Sequence, residues 1–299
     1  MAHFSKYSLI FVSNMQANLE DAFANPKHAF ASCVTNHEVI NHLNITMKKF
    51  FCFWSLILIA HMAIAQTQII AHRGFHATKN SVRNSLSALQ HAQDFGAFGS
   101  ECDINETADG VLVVAHGPKH GKYIVQQTDF QTLRSQKLEN GEILPTLDEY
   151  LEQAAKNTNT KLIIEIKDHN TPQRETRVVK NILKAVKKHK LQNDVEYIAF
   201  RKHVCDELIK YGPKGIQVAY LNGDLTPEYC KGLNYTGLDY NLGVLKKHPN
   251  WIKEAQELGL IVNVWTVNDT ENLQWCVDQG VDFITTDNPE EAARIISKK

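Results

Sequence analysis

Apolar and polar positions follow two different periods along the chain from residue 68 to the C-terminus. Apolar runs of five to eight residues are typical of buried β-strands, and they occur at 68–72, 100–104, 111–116, 161–167, 195–200, 216–221, 236–241, 260–267 and 282–286. Helical periodicity lies between most of these runs, over Ser81–Phe95, Thr146–Lys156, Gln173–Lys190, Lys202–Tyr211, Pro249–Leu258, Glu271–Gln279 and Pro289–Ser297. Alternating strands and helices predict a parallel α/β fold, and their number fits a (β/α)8 TIM barrel.

The strand count exceeds that of such a barrel by one. The link between the second and third runs, residues 105–110, is too short to hold a helix and ends in Asp109-Gly110, which is typical of hairpin turns. We therefore expect one strand here to pair irregularly at the rim of the barrel. A long irregular stretch, 117–145, follows, with one helix predicted at Asp129–Gln136. Long loops at the C-terminal face of barrel strands usually carry substrate selectivity.

The segment 47–65 differs in character from the rest of the chain. Met47-Lys48-Lys49 precedes an apolar run at 50–60, and Ala63-Ile64-Ala65 follows it. A short basic start, an apolar run of this length and an Ala-x-Ala site predict a secretory signal peptide that is cleaved near Ala65. The run is shorter than the about 20 apolar residues that a membrane-spanning helix needs, and no cysteine follows the cleavage site to carry a lipid. No stable membrane anchor is therefore expected.

A signal peptide normally begins at the initiator methionine. We therefore hypothesise that translation starts at Met47. Residues 1–46 would then be an upstream extension that was wrongly assigned to the protein and that forms no domain of its own. The mature protein is then 66–299, a single barrel domain that is long enough to bury a substantial core. It is expected to be exported, either to the periplasm or out of the cell.

The overall composition excludes some classes of function. A net charge of -1, with 43% hydrophobic and 22% charged residues, is that of an ordinary globular protein, whereas a nucleic-acid-binding protein needs a basic face. The mature segment holds four cysteines without a CxxC pair: Cys102, Cys205, Cys230 and Cys276. Buried free thiols are the preferred interpretation, although spacing leaves a disulfide open. The oligomeric state is open as well.

Ionisable side chains collect at the ends of the first three predicted strands. His72 follows the first strand, His116 ends the third, and the second carries acids at alternate positions. Because successive side chains of a strand point to opposite faces, Glu101 and Asp103 share one face and Cys102 takes the other. Two neighbouring carboxylates repel each other unless a proton or a cation lies between them. Oxygen ligands at this spacing suit one divalent cation, Ca²⁺ or Mg²⁺.

These residues form a set of motifs in a fixed order. The set comprises His72-Arg73-Gly74, Glu101-x-Asp103, Thr107-x-Asp109-Gly110, Val113-Val114-x-His116, Ile164-Glu165-Ile166-Lys167, Trp265-Thr266-Val267-Asn268 and Ile284-Thr285-Thr286-Asp287-Asn288-Pro289. Together they resemble the signature of the glycerophosphodiester phosphodiesterase family, in its exported bacterial type, from about residue 68 to the C-terminus. The resemblance implies a TIM barrel of the phospholipase-C-like phosphodiesterase type, with a short insertion at 117–145 that covers the site.

The resemblance also implies the residues that hold the cation. The matching positions are Glu101, Asp103 and Glu165, and the cation offsets three carboxylates that repel one another when ionised together. Lys167 lies two residues beyond Glu165 on the same strand face. It is therefore expected to bind the substrate phosphate and the ligand carboxylates.

The family's reaction implies roles for further residues. His72 and His116 match the general acid–base pair, and an ordinary pKa near 6.5 lets one accept a proton while the other donates. Arg73 is expected to bind the phosphate and Trp265 to form a wall against the glycerol part. The substrate's 2-hydroxyl attacks phosphorus, and water then opens the cyclic phosphate to give glycerol 3-phosphate and an alcohol. Weaker candidates for substrate contact are His76, His120 and Asp239-Tyr240-Asn241.

Two positions depart from the family's pattern. Arg83 stands where many members have glutamate, and Gly117 follows the second histidine where members usually have aspartate. The first change predicts altered substrate choice, and the second predicts an altered orientation or pKa of His116. Two alternatives stay open. One is a lipid phosphodiesterase on the same scaffold, of the phosphatidylinositol or phospholipase-D-like type, and the other is a non-catalytic binding homologue.

Overall fold

The computed structural model describes residues 66–298, so the predictions for residues 1–65 fall outside the described part of the chain. Eleven strands lie within it: β1 (Gln68–Ala71), β2 (Gly99–Glu106), β3 (Leu112–Val114), β4 (Lys119–His120), β5 (Tyr123–Ile124), β6 (Lys161–Ile166), β7 (Val195–Ala199), β8 (Val218–Tyr220), β9 (Gly237–Asn241), β10 (Ile261–Trp265) and β11 (Phe283–Thr286). Eight of these, all except β3, β4 and β5, run parallel and form one closed ring.

Closure of the ring depends on β1, which has a parallel neighbour on each side. Ala71 is in register with Thr286 of β11 and with Ser100 of β2. The remaining strands follow in the order β2, β6, β7, β8, β9, β10 and β11. The predicted (β/α)8 barrel is therefore confirmed. The C-terminal ends of all eight strands meet at one mouth, the usual place for the site in such barrels.

The additional strand, β3, pairs antiparallel with β2 at the edge of the mouth. Glu106 is in register with Leu112, and the turn between them contains Gly110 at a φ of +86°, a conformation that glycine adopts without strain. The Thr107 hydroxyl donates a hydrogen bond to Asp109 and tightens the same turn. The irregular pairing predicted from Asp109-Gly110 is confirmed.

The described helices are α1 (Leu86–Phe95), α2 (Phe130–Arg134), α3 (Leu147–Ala154), α4 (Pro172–Lys188), α5 (Lys202–Tyr211), α6 (Pro227–Gly232), α7 (Leu242–Lys247), α8 (Asn250–Glu257), α9 (Thr270–Gln279) and α10 (Pro289–Ile296). The helix predicted from Ser81 starts later because Ser85 caps it, accepting a hydrogen bond from the Ala88 N–H. Asn84, just before this cap, has a φ of +60° and lies outside the helix. Helices α6 and α7 were not predicted, since each has only six residues.

The stretch 117–145 has more regular structure than its sequence pattern suggests. It contains the β4–β5 hairpin and a 3₁₀ turn before α2, the helix whose existence was predicted. Arg174 ties this insertion to the barrel, because its guanidinium donates to the backbone carbonyls of Glu106 and Gln126. The same guanidinium pairs with the Glu106 carboxylate at 3.0 Å. The insertion is thus fixed beside the mouth.

Two apolar layers hold the barrel together. Its interior is filled by side chains from four strands and the segment after β8: Ile70, Ile163, Ile198, Leu221 and Phe283. A larger layer lies between strands and helices and includes the four described cysteines, which are buried and unpaired. The interpretation as buried free thiols is confirmed. Among residues 66–298, no helix has the length and apolar character needed to cross a membrane.

Candidate active site

Three carboxylates converge inside the mouth of the barrel. Asp103 on β2 is in register with Glu165 on β6, and Glu101 lies two residues earlier on the same face of β2. One carboxylate oxygen from each of the three lies within 4.8 Å of the others, and all three side chains are largely buried. The predicted acidic cluster therefore forms, and it can hold a metal ion.

The electrostatics of this cluster favour a bound cation. Burial, followed by the negative charges of Asp103 and Glu165, raises the pKa of Glu101 well above its usual range. Burial also raises the pKa of Glu165 to about 7, although Lys167 opposes that shift. The Glu101 Oε1 atom is buried and has no hydrogen-bond partner. An unpaired oxygen within three crowded carboxylates fits the all-oxygen surroundings that Ca²⁺ or Mg²⁺ requires.

Two basic side chains border the carboxylates. Lys167 donates to Glu165 at 2.5 Å and to Asp103 at 3.2 Å, and Arg73 Nε lies 3.3 Å from the Asp103 carboxylate. Burial alone would raise the pKa of Asp103. Three interactions lower it: the positive charge of Lys167, a hydrogen bond from Asn84, and the positive charge of Arg73. Asp103 therefore stays ionised, whereas the raised pKa values of Glu101 and Glu165 favour protonation of these two glutamates in the absence of a cation.

The loop after β1 is shaped to bring backbone and side-chain donors to the carboxylates. Arg73 has a φ of +55°, which is uncommon for a residue with a side chain, and its N–H donates to Glu101 Oε2 at 2.8 Å. Gly74 follows at a φ of +78°, and a Cβ there would lie 2.6 Å from Ala88. Asn84 donates through Nδ2 to Asp103 Oδ2 at 2.8 Å. The loop with its strained turn thus places one donor on each of two carboxylates.

His72 is oriented by an aspartate that directly follows the last strand of the ring. Its Nδ1 lies 2.8 Å from Asp287 Oδ1, and His76 Nε2 lies 2.9 Å from the same oxygen. Asn268 donates to the other carboxylate oxygen, Oδ2, at 2.9 Å. Burial would raise the pKa of Asp287, but hydrogen bonds from both histidines lower it well below its usual range. An ionised Asp287 accepts the His72 Nδ1–H and leaves Nε2 directed away from it.

His116 is held by its own backbone. Its Nδ1 lies 3.0 Å from the carbonyl oxygen of Gly117, and because a carbonyl only accepts, Nδ1 carries the proton. Burial lowers the pKa of His116, and Lys167 and Arg73 lower it further against the opposing effect of Asp103. The imidazole is therefore neutral at pH 7, with a free lone pair on Nε2.

The departure at Gly117 has a local explanation. Gly117 adopts a φ of +71°, and a Cβ there would approach the side-chain amide of Asn105 to 3.2 Å. That amide donates to the carbonyl of Ala115 at 2.7 Å and is itself held by Gln126. In this chain the partner of His116 Nδ1 is the backbone carbonyl of Gly117 itself.

A cavity of about 110 Å³ opens beside these groups. Both histidines, the two basic side chains, Glu101 and Glu165 line it, and four apolar side chains that belong to one packed cluster form an apolar wall: Ile198, Phe200, Leu221 and Trp265. The Trp265 ring packs edge-to-face against Phe200 with centroids 5.5 Å apart, and its Nε1–H donates to the carbonyl of Asp239. The cavity is suited to a small molecule with a charged group at one end and a carbon backbone at the other.

Comparison with known proteins agrees with this arrangement. The family model described as the glycerophosphoryl diester phosphodiesterase family matches residues 72–291. The chain belongs to the glycerophosphoryl diester phosphodiesterase family. A relative named glycerophosphodiester phosphodiesterase, from Caldanaerobacter subterraneus subsp. tengcongensis, is 26% identical over 78% of this chain and 99% of its own length. The resemblance to this family is therefore confirmed, and so is the class of enzyme, whereas the exported type stays a prediction.

Solved structures show the same family fold. A glycerophosphodiester phosphodiesterase from Parabacteroides distasonis is 44% identical, with a TM-score of 0.77 over 78% of this chain and 98% of that one. A phosphodiesterase from Oleispira antarctica, in complex with the product sn-glycerol-3-phosphate, has a TM-score of 0.67 at 20% identity, over 78% and 97% of the two chains. At that identity the second comparison supports the fold alone.

The structure brings all eight predicted site residues to one mouth: His72, Arg73, Glu101, Asp103, His116, Glu165, Lys167 and Trp265. Of the weaker candidates, His76 lies near the site because its Nε2 contacts Asp287, which also contacts His72. His120 instead contacts the Gln136 carbonyl at 2.8 Å. Sequence reasoning gave no role to Asp287 or Phe200. Asp287 was visible within the last quoted motif, while nothing in the sequence marked Phe200.

Proposed function

We propose that this protein hydrolyses glycerophosphodiesters to glycerol 3-phosphate and an alcohol. The observation that carries the proposal is that one cavity with an apolar wall brings together the carboxylate cluster and two differently held histidines. Membership of the family supports the same reaction. The phosphate is expected to lie among the charged groups, with the glycerol carbons against Phe200 and Trp265.

One divalent cation, Ca²⁺ or Mg²⁺, fits the oxygens of Glu101, Asp103 and Glu165. When bound, it supplies Lewis-acid stabilisation of charge on a phosphoryl oxygen. Arg73 and Lys167 border the same carboxylates. Their side chains add positive charge that stabilises the phosphate as negative charge develops on it.

The two histidines are expected to take opposite roles in the first step. His116 Nε2 removes the proton of the substrate's 2-hydroxyl, whose oxygen forms a bond to phosphorus. The bond from phosphorus to the alcohol oxygen breaks, and that oxygen takes a proton from His72 Nε2. The support is that His116 is held neutral with Nε2 free, while the ionised Asp287 stabilises a protonated His72. A five-membered cyclic phosphate results.

The second step returns both histidines to their starting states. His72 Nε2 removes a proton from water, whose oxygen attacks the cyclic phosphate and breaks its bond to the 2-oxygen. That oxygen recovers its proton from His116 Nε2. The product is glycerol 3-phosphate. The same two nitrogens serve both steps with exchanged roles, as general acid–base catalysis through a cyclic intermediate requires.

Release of glycerol 3-phosphate from glycerophosphocholine tests the proposed function. The chain from Gln66 is assayed with Ca²⁺, with Mg²⁺ and with a chelator, beside a His116→Ala variant. We expect turnover with at least one cation, none with chelator, and a loss of about a hundredfold or more in the variant. A folded protein that releases no glycerol 3-phosphate under any of these conditions would contradict the proposal.

An analogue without the 2-hydroxyl tests the route through a cyclic phosphate. The phosphocholine diester of 1,3-propanediol keeps the phosphate, the choline and the terminal hydroxyl but lacks the 2-hydroxyl, so it cannot form the five-membered cyclic phosphate. We expect no detectable turnover of this diester, although it should compete with glycerophosphocholine for the site. Hydrolysis of both diesters at similar rates would instead indicate direct attack by water.

Cation affinity is expected to fall as the pH drops below about 7. Glu165 and Glu101 have raised pKa values in the cation-free protein, so they become protonated as the pH falls through those values. A cation must then displace protons, and each proton displaced weakens apparent affinity by about tenfold per pH unit. Calorimetric titration with Ca²⁺ and Mg²⁺ at several pH values checks this. A constant affinity from about pH 8 to about pH 5 would contradict the assignment of the two glutamates as ligands.

We also propose that the protein is exported and that its mature chain begins near Gln66. The support is the signal-peptide pattern at 47–65 together with a barrel whose first strand starts at Gln68. N-terminal sequencing of the protein from its native source tests this directly. A peptide from within residues 1–46 would contradict the start of translation at Met47.

A further inference from the structure

A second space, a groove of about 510 Å³, lies beside the catalytic cavity. The loop after β1 forms one wall through residues 76–83, and the insertion forms the other through residues 119–121 and 137–139. The reaction described above uses none of these side chains. We refer to this space as the basic groove because its charged lining is mostly cationic: Arg83, Lys119, Lys137 and Glu139.

The positive charge of the groove is largely uncompensated. Glu139 is the only acid among its lining residues. Within residues 66–298, Lys119 and Lys137 form no ion pair, and Arg83 reaches only 3.9 Å from Asp287 with a side chain that is 56% exposed. Three cationic groups around one concave space create a field that favours a multiply charged anion over a neutral ligand.

The lysines are presented by ordered backbone rather than by free loop ends. Lys119 is in register with Ile124 in the β4–β5 hairpin, and Lys137 forms an antiparallel bridge with Ile143. His120 joins the two segments, since its Nε2 donates to the carbonyl of Gln136 at 2.8 Å. Fixed backbones reduce the entropy that must be lost when the side chains bind a ligand.

The groove is linked to the catalytic cavity through two histidines. His76 lines the groove, His72 lines the catalytic cavity, and both rings contact the same oxygen of Asp287. A phosphodiester has two arms on one phosphorus atom. The apolar wall at Phe200 and Trp265 suits the glycerol arm, which leaves the groove as the space for the other arm.

We propose that the basic groove is a subsite for the alcohol arm of the substrate and selects alcohols that carry a second phosphate group. This inference rests on the proposed phosphodiesterase function and specifies the class of substrate. Lys119, Lys137 and Arg83 bind the distal phosphate, and His76 marks the passage from the groove to the catalytic cavity.

A matched pair of substrates isolates the contribution of the second phosphate. Glycerophosphoglycerol and the same molecule with a terminal phosphate monoester differ only in that group. We expect kcat/KM to be about tenfold higher for the phosphorylated diester at low salt, and the preference to shrink as the salt concentration rises. In the double variant Lys119→Gln/Lys137→Gln, we expect the ratio of the two kcat/KM values to fall to about one.

The control variant removes the same charge far from the groove. Lys184→Gln/Lys187→Gln alters two exposed lysines near the C-terminal end of α4, which lies away from the mouth because α4 starts where β6 ends. We expect it to keep the full preference for the phosphorylated diester. Equal loss in both double variants would show an effect of net charge alone and would overturn the subsite.

Binding measured without turnover separates this inference from the proposed function. Calorimetry with the phosphorylated diester in a His116→Ala background is expected to show tighter binding than with glycerophosphoglycerol, and the groove lysine changes are expected to remove the difference.

Turnover of both diesters without any preference would overturn the subsite and leave the phosphodiesterase intact. Selective binding with no turnover by the unsubstituted protein would overturn the phosphodiesterase and keep the subsite. Binding only to anionic lipid vesicles, with no discrimination between the diesters, would overturn the subsite in favour of a membrane contact.

Discussion

Glu101→Gln is expected to abolish cation binding and turnover while it raises the melting temperature of the cation-free protein. The glutamine keeps the shape of the side chain and can still accept the hydrogen bond from the Arg73 N–H. It removes a negative charge that burial and the neighbouring carboxylates disfavour. Loss of the cation removes several kcal/mol of transition-state stabilisation, which corresponds to about a thousandfold in rate.

The stability gain has a defined pH dependence. Because the pKa of Glu101 is raised in the folded state, its ionised form destabilises the fold, and this cost grows as the pH rises. The melting temperature of Glu101→Gln, measured with chelator, should therefore exceed that of the unsubstituted protein by more at pH 8 than at about pH 5. Calorimetric titration with the cation and a turnover assay check the expected loss of cation binding and of activity in the same variant.

Glu106→Gln is the matched control, since Glu106 is also buried on β2. Arg174 and Arg177 pair with its carboxylate at 3.0 Å and 2.6 Å, and hydrogen bonds from both arginines lower its pKa despite burial. Here the substitution should lower stability, by about 2 kcal/mol, because it replaces two charge-assisted hydrogen bonds from Arg174 and Arg177 with weaker bonds to a neutral amide. Stability changes of opposite sign on replacing two buried glutamates of one strand distinguish a cation ligand from a structural carboxylate. A loss of stability in both variants would contradict the role of Glu101.

Asp287→Asn is expected to lower kcat by about a hundredfold or more, with little change in cation affinity. Asn268 Nδ2 donates to Asp287 Oδ2, so an asparagine would keep its oxygen on that side and turn its NH₂ group toward the two histidines. His72 would then have to accept at Nδ1 and carry its proton on Nε2. The wrong tautomer stops His72 from accepting a proton from water in the second step.

The pH profile tests this explanation more sharply than the loss of rate. Removal of the Asp287 negative charge, which contacts both rings, should change the pH profile of kcat as well as its size. Asp278→Asn, which changes an exposed carboxylate near the C-terminal end of α9, is the control and should leave kcat within about twofold. An unchanged profile in Asp287→Asn would show that Asp287 has only a structural role.

Local patterns were sufficient to predict the barrel and two of the three carboxylates of the cation cluster. Alternation along one strand placed Glu101 and Asp103 on a common face, whereas Glu165 was predicted from the family resemblance and lies beside them because β2 and β6 pair in parallel register. The same reasoning predicted the irregular β3 from the Asp109-Gly110 turn. In each case the periodicity of a single strand, or a turn of two residues, determines the geometry.

Contacts between distant segments were not predictable in this way. Asp287 reaches His72 only because β11 closes the ring beside β1, a pairing across 215 residues of sequence. The β4–β5 hairpin has two residues per strand, too few for any periodicity to be visible. The basic groove is likewise formed by two loops that the fold brings together, so its charge was hidden in two separate stretches of sequence.

The most direct test of the central claim is to follow one glycerophosphodiester by ³¹P NMR with the chain from Gln66 and a divalent cation. We expect the diester resonance of glycerophosphocholine to be replaced by that of glycerol 3-phosphate, with a cyclic phosphate as a transient species. Phosphocholine must not form, because attack by the 2-hydroxyl breaks the bond to choline. Appearance of phosphocholine, or a diester that persists with every cation while the protein stays folded, would contradict the mechanism.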